Sequence, residues 1–446
     1  MAQHAELEWR LRWAAVRYRF AESLFLLPSL VMLGGILLAI GATAVDDRIG
    51  HDASVPLTLA MSSNAATWLL STVAGAMITT VGVVFSLTVV SLQLASSQFS
   101  PRVMRSFIRD RLSQGVIGLL VGTFFYCVLV LPNLSGEATD PAPRVSLTIA
   151  VVLTLVTVIG IIVHLDHLAH GLQVGNVVRG IAEEGQAVIR TLDRTPEALR
   201  AVAVEDYPAA PEASAVPSVR SGWVSQVDVT RLFEAMPEQT TVRMETRVGA
   251  YIHAGEPLFL VWPSPPPRSI HHLAGAIEVS NMRTMQQDAD FALRQLVDIG
   301  LRALSPAVND PTTAVEVVLR LGSLLRTMLV APLAAPALED GAGRVLVQPW
   351  ALEHDEYVAH AFDQIRQSCQ DQPEVVAATL RVLRMLVAHV EAEGHPERAE
   401  PLRRQMRLLL EALPDQPGLH PEDLRRLQAL RAEQTDPADH SHHRSR

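Results

Sequence analysis

The chain has 446 residues, 49% of them hydrophobic and only 5% aromatic, with a mean hydropathy of +0.21 and a formal net charge of −10. That apolar share is high for a soluble protein, so membrane segments are the first expectation. Every basic residue is Arg and none is Lys, which excludes chemistry that needs a lysine amine, including Schiff bases and lipoyl or biotinyl attachment.

A segment of residues 1–22 rich in Arg precedes four apolar stretches at 24–45, 68–95, 115–131 and 145–165. Each reaches the ~17–25 residues that a hydrocarbon core of ~30 Å demands of a helix. Arg10, Arg12, Arg17 and Arg19 precede the first stretch, and Arg102, Arg105, Arg109 and Arg111 separate the second from the third. The other two connections carry Asp46, Asp47 and Asp52, and then Glu137 and Asp140, with one Arg in each. Arg-rich short loops stay cytoplasmic, so the spacing predicts a four-helix transmembrane domain over 23–170 with both termini inside. Ala42-Thr43-Ala44 has the form of a signal cleavage site, but the stretch is too long for an h-region and is expected to be retained.

In the second stretch Thr72, Gly75, Thr79, Gly82, Ser86 and Gln93 recur at steps of three and four or their sum, which places them on one helical seam. Small and hydroxyl residues on such a seam serve close helix packing in lipid. They would equally suit the lining of a pore, which four uncharged spans of one chain enclose only by oligomerising. Ser100 and Pro101 open a short helix on which Arg102, Arg105 and Arg109 share a face, either as a headgroup anchor or as a basic ring at a cytosolic exit. The fourth stretch ends in His164, Asp166, His167 and His170. Their spacing is compatible with a metal, yet imidazoles near a membrane surface more often serve the interface, and no metal is assigned.

A helical connector and Pro-rich linker over 171–217 leads into a small β domain at 218–265, rich in Val, Thr and Ile. Within it Val248-Gly-Ala-Tyr-Ile-His-Ala-Gly-Glu-Pro-Leu258 resembles the hairpin of lipoyl-like sandwich barrels. With no Lys to carry a prosthetic group, a swinging-arm role is excluded. From 270 to 432 the periodicity is helical and predicts a bundle; Gln287, Asp288, Asp298 and Arg302 mark a polar stripe. The loop Ser305-Pro-Ala-Val-Asn-Asp-Pro311 reads as helix punctuation, with Asn309 or Asp310 capping and Pro311 entering. Alternatively Arg302, Ser305, Asn309, Asp310 and Thr312 form an anionic-ligand loop at a positive helix end. Residues 433–446 are polar, His-rich and expected to be disordered. Cys127 and Cys369 lie in unlike contexts, so neither a disulfide nor a cysteine zinc site is expected.

The segments 81–111 and 287–314, the latter with its core Asp298-Ile-Gly-Leu-Arg-Ala-Leu-Ser-Pro-Ala-Val-Asn-Asp-Pro311, resemble the bacterial membrane proteins grouped as domain of unknown function 2254. The resemblance implies the architecture and an inner-membrane address and transfers no catalytic residue. No phosphate loop, dinucleotide fingerprint, G-x-S-x-G or H-E-x-x-H is present, so no enzyme and no cofactor is expected. Two readings stand: a homo-oligomeric channel passing a small ion along the second span, or a bilayer-anchored sensor or scaffold with a cytosolic regulatory domain. Neither involves nucleic acid.

Overall fold

The computed structural model describes residues 25–49, 56, 58–98, 110–134, 140–171, 173–192, 198–203, 212–413 and 420–432. The chain forms two compact units, Met1–Gln173 and Val174–Arg446.

The first unit contains four helices long and apolar enough to cross a membrane: α1 (Leu26–Ile49), α2 (Ser63–Gln98), α3 (Arg111–Val130) and α4 (Arg144–Gly171). Lipid offers backbone groups no partner, so apolar stretches of this length satisfy them internally as helices. α3 packs against α1, α2 and α4 and is the most enclosed of the four. Its contact with α1 is backbone on backbone. A Cβ on Gly35 would stand 2.7 Å from the Gly122 carbonyl oxygen, and one on Gly118 would stand 2.8 Å from the Pro28 Cα. Gly118 and Gly122 form a G-x-x-x-G pair, the spacing that lets two helices approach without side chains between them. On another side of α3, the buried hydroxyls of Thr123 and Thr157 hydrogen-bond at 3.0 Å and join it to α4.

One end of this unit is fastened by a carboxylate. Asp46, 5% exposed, accepts from the Val145 and Ser146 amides at 2.9 and 2.8 Å and from the Ser146 hydroxyl at 2.6 Å. An anion there meets the orphan N–H groups and positive dipole end of α4. Beside it, Ser62 and Pro141 bridge as isolated β partners, and the Tyr126 hydroxyl donates to the Ser146 carbonyl at 2.9 Å. Asp46 thus acts from within α1, which continues past the expected end of the first span.

The second unit begins with α5 (Val174–Leu192) and sets two sheets beside a helical bundle. Strands β1 (Arg200–Ala201), β2 (Ser214–Pro217), β3 (Gly222–Val227), β4 (Thr241–Met244), β5 (Tyr251–Ile252), β6 (Pro257–Trp262), β7 (Ile277–Ser280), β8 (Ala337–Glu339) and β9 (Val345–Val347) are interleaved with α6 (Val229–Ala235) and α7 (Pro267–Ala274). One sheet runs β1-β8-β9-β4-β6-β2 and the other β5-β3-β7. All pairings are antiparallel except β4 with β9. Val216, Val224, Leu232, Val242, Phe259 and Leu346 belong to one buried core between them.

This corrects the expected organisation in three ways. Residues 248–258 do not form a hairpin: β5 pairs with β3 while β6 pairs with β2 and β4, so the chain turns a corner between sheets. Gly249 and Gly255, at φ +80° and +92°, supply the left-handed backbone for that corner. Nor is the chain helical throughout from 270, because β7, β8 and β9 return to the sheets as strands of three or four residues. Nor is 171–217 all connector: β1 and β2 are sheet strands, and β2 pairs with β6.

The bundle consists of α8 (Ala289–Ala303), α9 (Pro311–Met328), α10 (His354–Ser368), α11 (Pro373–Ala392), α12 (Ala399–Ala412) and α13 (Pro421–Ala432). α8 lies against α5, α9 and α10, which buries Phe291, Leu293, Leu296, Val297 and Ile299. Cys127 and Cys369 are free, buried thiols, and burial pushes the Cys369 thiol up to about 12.

Gly35→Leu meets backbone, whereas Gly34→Leu meets open space. In detergent, Gly35→Leu should lower the midpoint of thermal unfolding, by at least the ~1–3 kcal/mol typical of overpacking. Gly34→Leu should leave it unchanged.

Candidate functional site

α2 is a continuous helix of 36 residues, ~54 Å long at ~1.5 Å per residue and therefore longer than a hydrocarbon core of ~30 Å. Leu70, Ala74, Met77 and Val84 are 0 to 6% exposed and bind it to the rest of its unit. Thr72, Gly75, Thr79, Gly82, Ser86 and Gln93 are all exposed. No atom stands within 4 Å of a Cβ built on Gly75 or Gly82. Among the described residues the seam therefore packs against no other helix of the same chain. That task falls to α3, whose G-x-x-x-G pair was the available signal. The outward faces of α1 and α4 are apolar by comparison, with Leu30, Leu33, Leu37, Leu155, Ile159 and Ile162 exposed.

Several hydroxyls of α2, Thr79 on the seam among them, are reconciled with an apolar surround by bonding backward along the helix. Thr79 Oγ1 donates to the Gly75 carbonyl at 2.8 Å. Thr80, Thr88 and Ser91 do the same to Ala76, Val84 and Leu87. Arg102, Arg105 and Arg109 lie outside the described residues.

The histidines at the end of α4 disperse. His164 is buried with Nδ1 at 3.3 Å from the Ser113 hydroxyl, and His167 Nε2 is 3.2 Å from Asp110 Oδ1. His170 Nδ1 is 2.8 Å from the Asp166 carbonyl. Among the described residues no three metal-ligating side chains converge.

The loop between α8 and α9 is built as a cap. Asp310 accepts from the Thr313 amide at 3.0 Å and from its hydroxyl at 2.5 Å. Asn309 takes a left-handed φ of 48° and accepts from Gln372 Nε2 at 3.2 Å. Ser305 donates its hydroxyl to the Arg302 carbonyl at 2.7 Å, and Arg302 and Thr312 are exposed. With a carboxylate already on its amides, this helix end offers an anion little.

A polar centre that the sequence reading left apart lies at the start of α8. Arg283 forks onto Asp288, Nε to Oδ2 at 2.6 Å and Nη2 to Oδ1 at 3.1 Å, and reaches Asp290 Oδ2 at 2.8 Å. Asp290, 1% exposed, also lies 2.7 Å from His360 Nδ1 and 3.4 Å from Arg294 Nε. The guanidinium stands 5.8 Å from the Trp223 ring and 5.3 Å from that of Phe291. Gly249 closes over the group, since a Cβ there would fall 2.3 Å from Asp288 Oδ2. Gln287 pins the end of β3, accepting from the Val227 amide at 2.9 Å. Only the D-x-D pattern following Arg283 hinted at this in sequence; His360, 70 residues away, gave none.

Burial raises the Asp290 carboxyl, but hydrogen bonds from His360 and Arg283 outweigh it and hold the group well below the usual carboxylate range. A depressed folded value stabilises above the unfolded pKa of ~3.9 and is lost as pH falls below it. Asp290→Asn should therefore cost ~3–5 kcal/mol at pH 7 in denaturant or thermal unfolding. The gap to wild type should narrow in acid.

Comparison with known proteins adds the lineage. An uncharacterized protein of Mycobacterium tuberculosis (strain H37Rv) is 34% identical over 368 residues, 78% of this chain and 69% of that protein. An uncharacterized protein of Mycobacterium bovis matches with the same identity and coverage. No solved structure matches the chain. The family model described as "Predicted membrane protein (DUF2254)" matches residues 21–385. Four apolar helices joined to a unit of sheets and helices, within a match of that extent, establish that the chain belongs to this family of membrane proteins.

Proposed function

We propose that the protein is a homo-oligomeric channel-like permeation protein of the bacterial inner membrane, assembled around α2. Its Arg-rich flanks and both termini face the cytoplasm, and no catalytic step belongs to this reading. One observation carries it: Thr72, Gly75, Thr79, Gly82, Ser86 and Gln93 are exposed in the folded chain while the opposite stripe of the same helix is buried. A face of small residues lets a second backbone approach closely, as Gly118 and Gly122 do within the chain. Four spans in one chain do not enclose a hydrated path, so the path would lie between copies. The larger second unit, with its own cavity, favours an added sensing role; Arg302, Ser305, Asn309, Asp310 and Thr312 contribute nothing to that cavity.

Two experiments test this. Thr79→Cys and Gly82→Cys should each crosslink under oxidation in membranes into higher oligomers, while Leu155→Cys, on the apolar face of α4, should not. Purified wild-type protein in planar bilayers should show unitary conductance that Gly82→Leu and Ser86→Leu reduce. Wild-type bilayers that stay silent would remove the permeation reading, and monomeric Thr79→Cys and Gly82→Cys would remove assembly through α2.

A further inference from the structure

The second unit contains a cavity of about 470 Å³, within the ~300–1,000 Å³ common for small-molecule sites. It lies among the sheets, α5, α8, α9 and the start of α10. Met244, Val248, Met328, Leu338 and Leu352 give it a mostly apolar wall.

Two partly buried polar side chains in that wall stand uncommitted. Arg247 is half-buried and donates to the neighbouring Val248 carbonyl at 3.3 Å, and among the described residues no carboxylate lies within ion-pair distance. By contrast Arg283 is engaged by Asp288 and Asp290, and Arg344 by Asp340. Tyr357 also lines the cavity, and its hydroxyl has no hydrogen-bond partner among the described residues. Burial raises its pKa, so it stays a protonated donor at any physiological pH. The carboxylates in the same wall are occupied: Asp288 by Arg283, and Asp228 by the Arg231 amide at 3.0 Å, as the cap of α6.

An unpaired guanidinium and a phenol beside an apolar hollow suit one planar, singly charged acceptor group attached to an apolar body. A doubly charged phosphate would leave one charge without a partner in a desolvated wall. We propose that this cavity binds a small organic carboxylate, with Arg247 forking onto the carboxylate, Tyr357 donating to it, and the apolar wall taking the hydrocarbon. The site is independent of the α2 seam and of permeation.

The full chain in a neutral detergent tests this, with 4-phenylbutyrate, octanoate and indole-3-acetate as probes and 4-phenylbutyramide as the uncharged match, followed by calorimetry. Saturable binding of at least one carboxylate is expected. Arg247→Gln should weaken it about tenfold or more, and Tyr357→Phe by up to about tenfold, the scale of a hydrogen bond to a charged group. The amide should bind both forms equally weakly. Arg247→Lys, which keeps the charge without the fork, should fall between, and unchanged melting of either Arg247 variant shows the fold intact. Arg302→Gln, in the capped loop, should bind as wild type does. Absence of saturable binding by all three carboxylates up to about millimolar, the weak end of useful affinities, would overturn the proposal. So would carboxylate binding that a folded Arg247→Gln leaves intact.

Discussion

Everything in the membrane-spanning unit is arranged around the contact between the backbones of α1 and α3. Lipid tails are as apolar as leucine, so helices there gain little from hiding apolar surface and must gain from close packing and hydrogen bonds instead. Gly35, Gly118 and Gly122 allow that approach, and the Thr123 and Thr157 hydroxyls add a bond on another side. α3 thereby becomes the shared partner of three helices. α2 meets it along one stripe only, which leaves the opposite face of α2 unused by the described residues of its own chain.

The second unit solves a different problem, joining two small sheets to a bundle. Where the sheet of β5, β3 and β7 meets the bundle, a buried ionic group joins strand to helix. Arg283 touches the Trp223 ring of β3, the cap of α8 and, through Asp290, His360 of α10. Buried charges are tolerated when each is met by an opposite one and the remaining donors find acceptors. The forked geometry also fixes orientation, which an apolar contact at the same place would leave looser.

The four spans were legible because length and apolarity alone identify them, and the cap at Asp310 because an Asp-Pro pair opening a helix is a local pattern. Strands β7, β8 and β9 were not, since three or four residues inside a helical stretch give no period to read. The resemblance to a hairpin at 248–258 rested on glycine spacing, which records the left-handed turns but not which strands they bring together. The Arg283 centre depends on a histidine far along the chain, and no local window contains both. The polar seam of α2 was visible as a stripe, but only the fold shows that the stripe faces away from the other described helices.

The backward bonds along α2 have a consequence for whatever approaches that face. Thr79 has already given its hydroxyl hydrogen to the Gly75 carbonyl, so what it turns outward is a methyl group and the lone pairs of an oxygen. At this position the surface accepts hydrogen bonds but has none to give. It would welcome the positive end of a dipole or a cation shedding part of its water, and would offer an anion no donor in return. By its letter Thr79 looks like an alcohol; electrically it is closer to an ether.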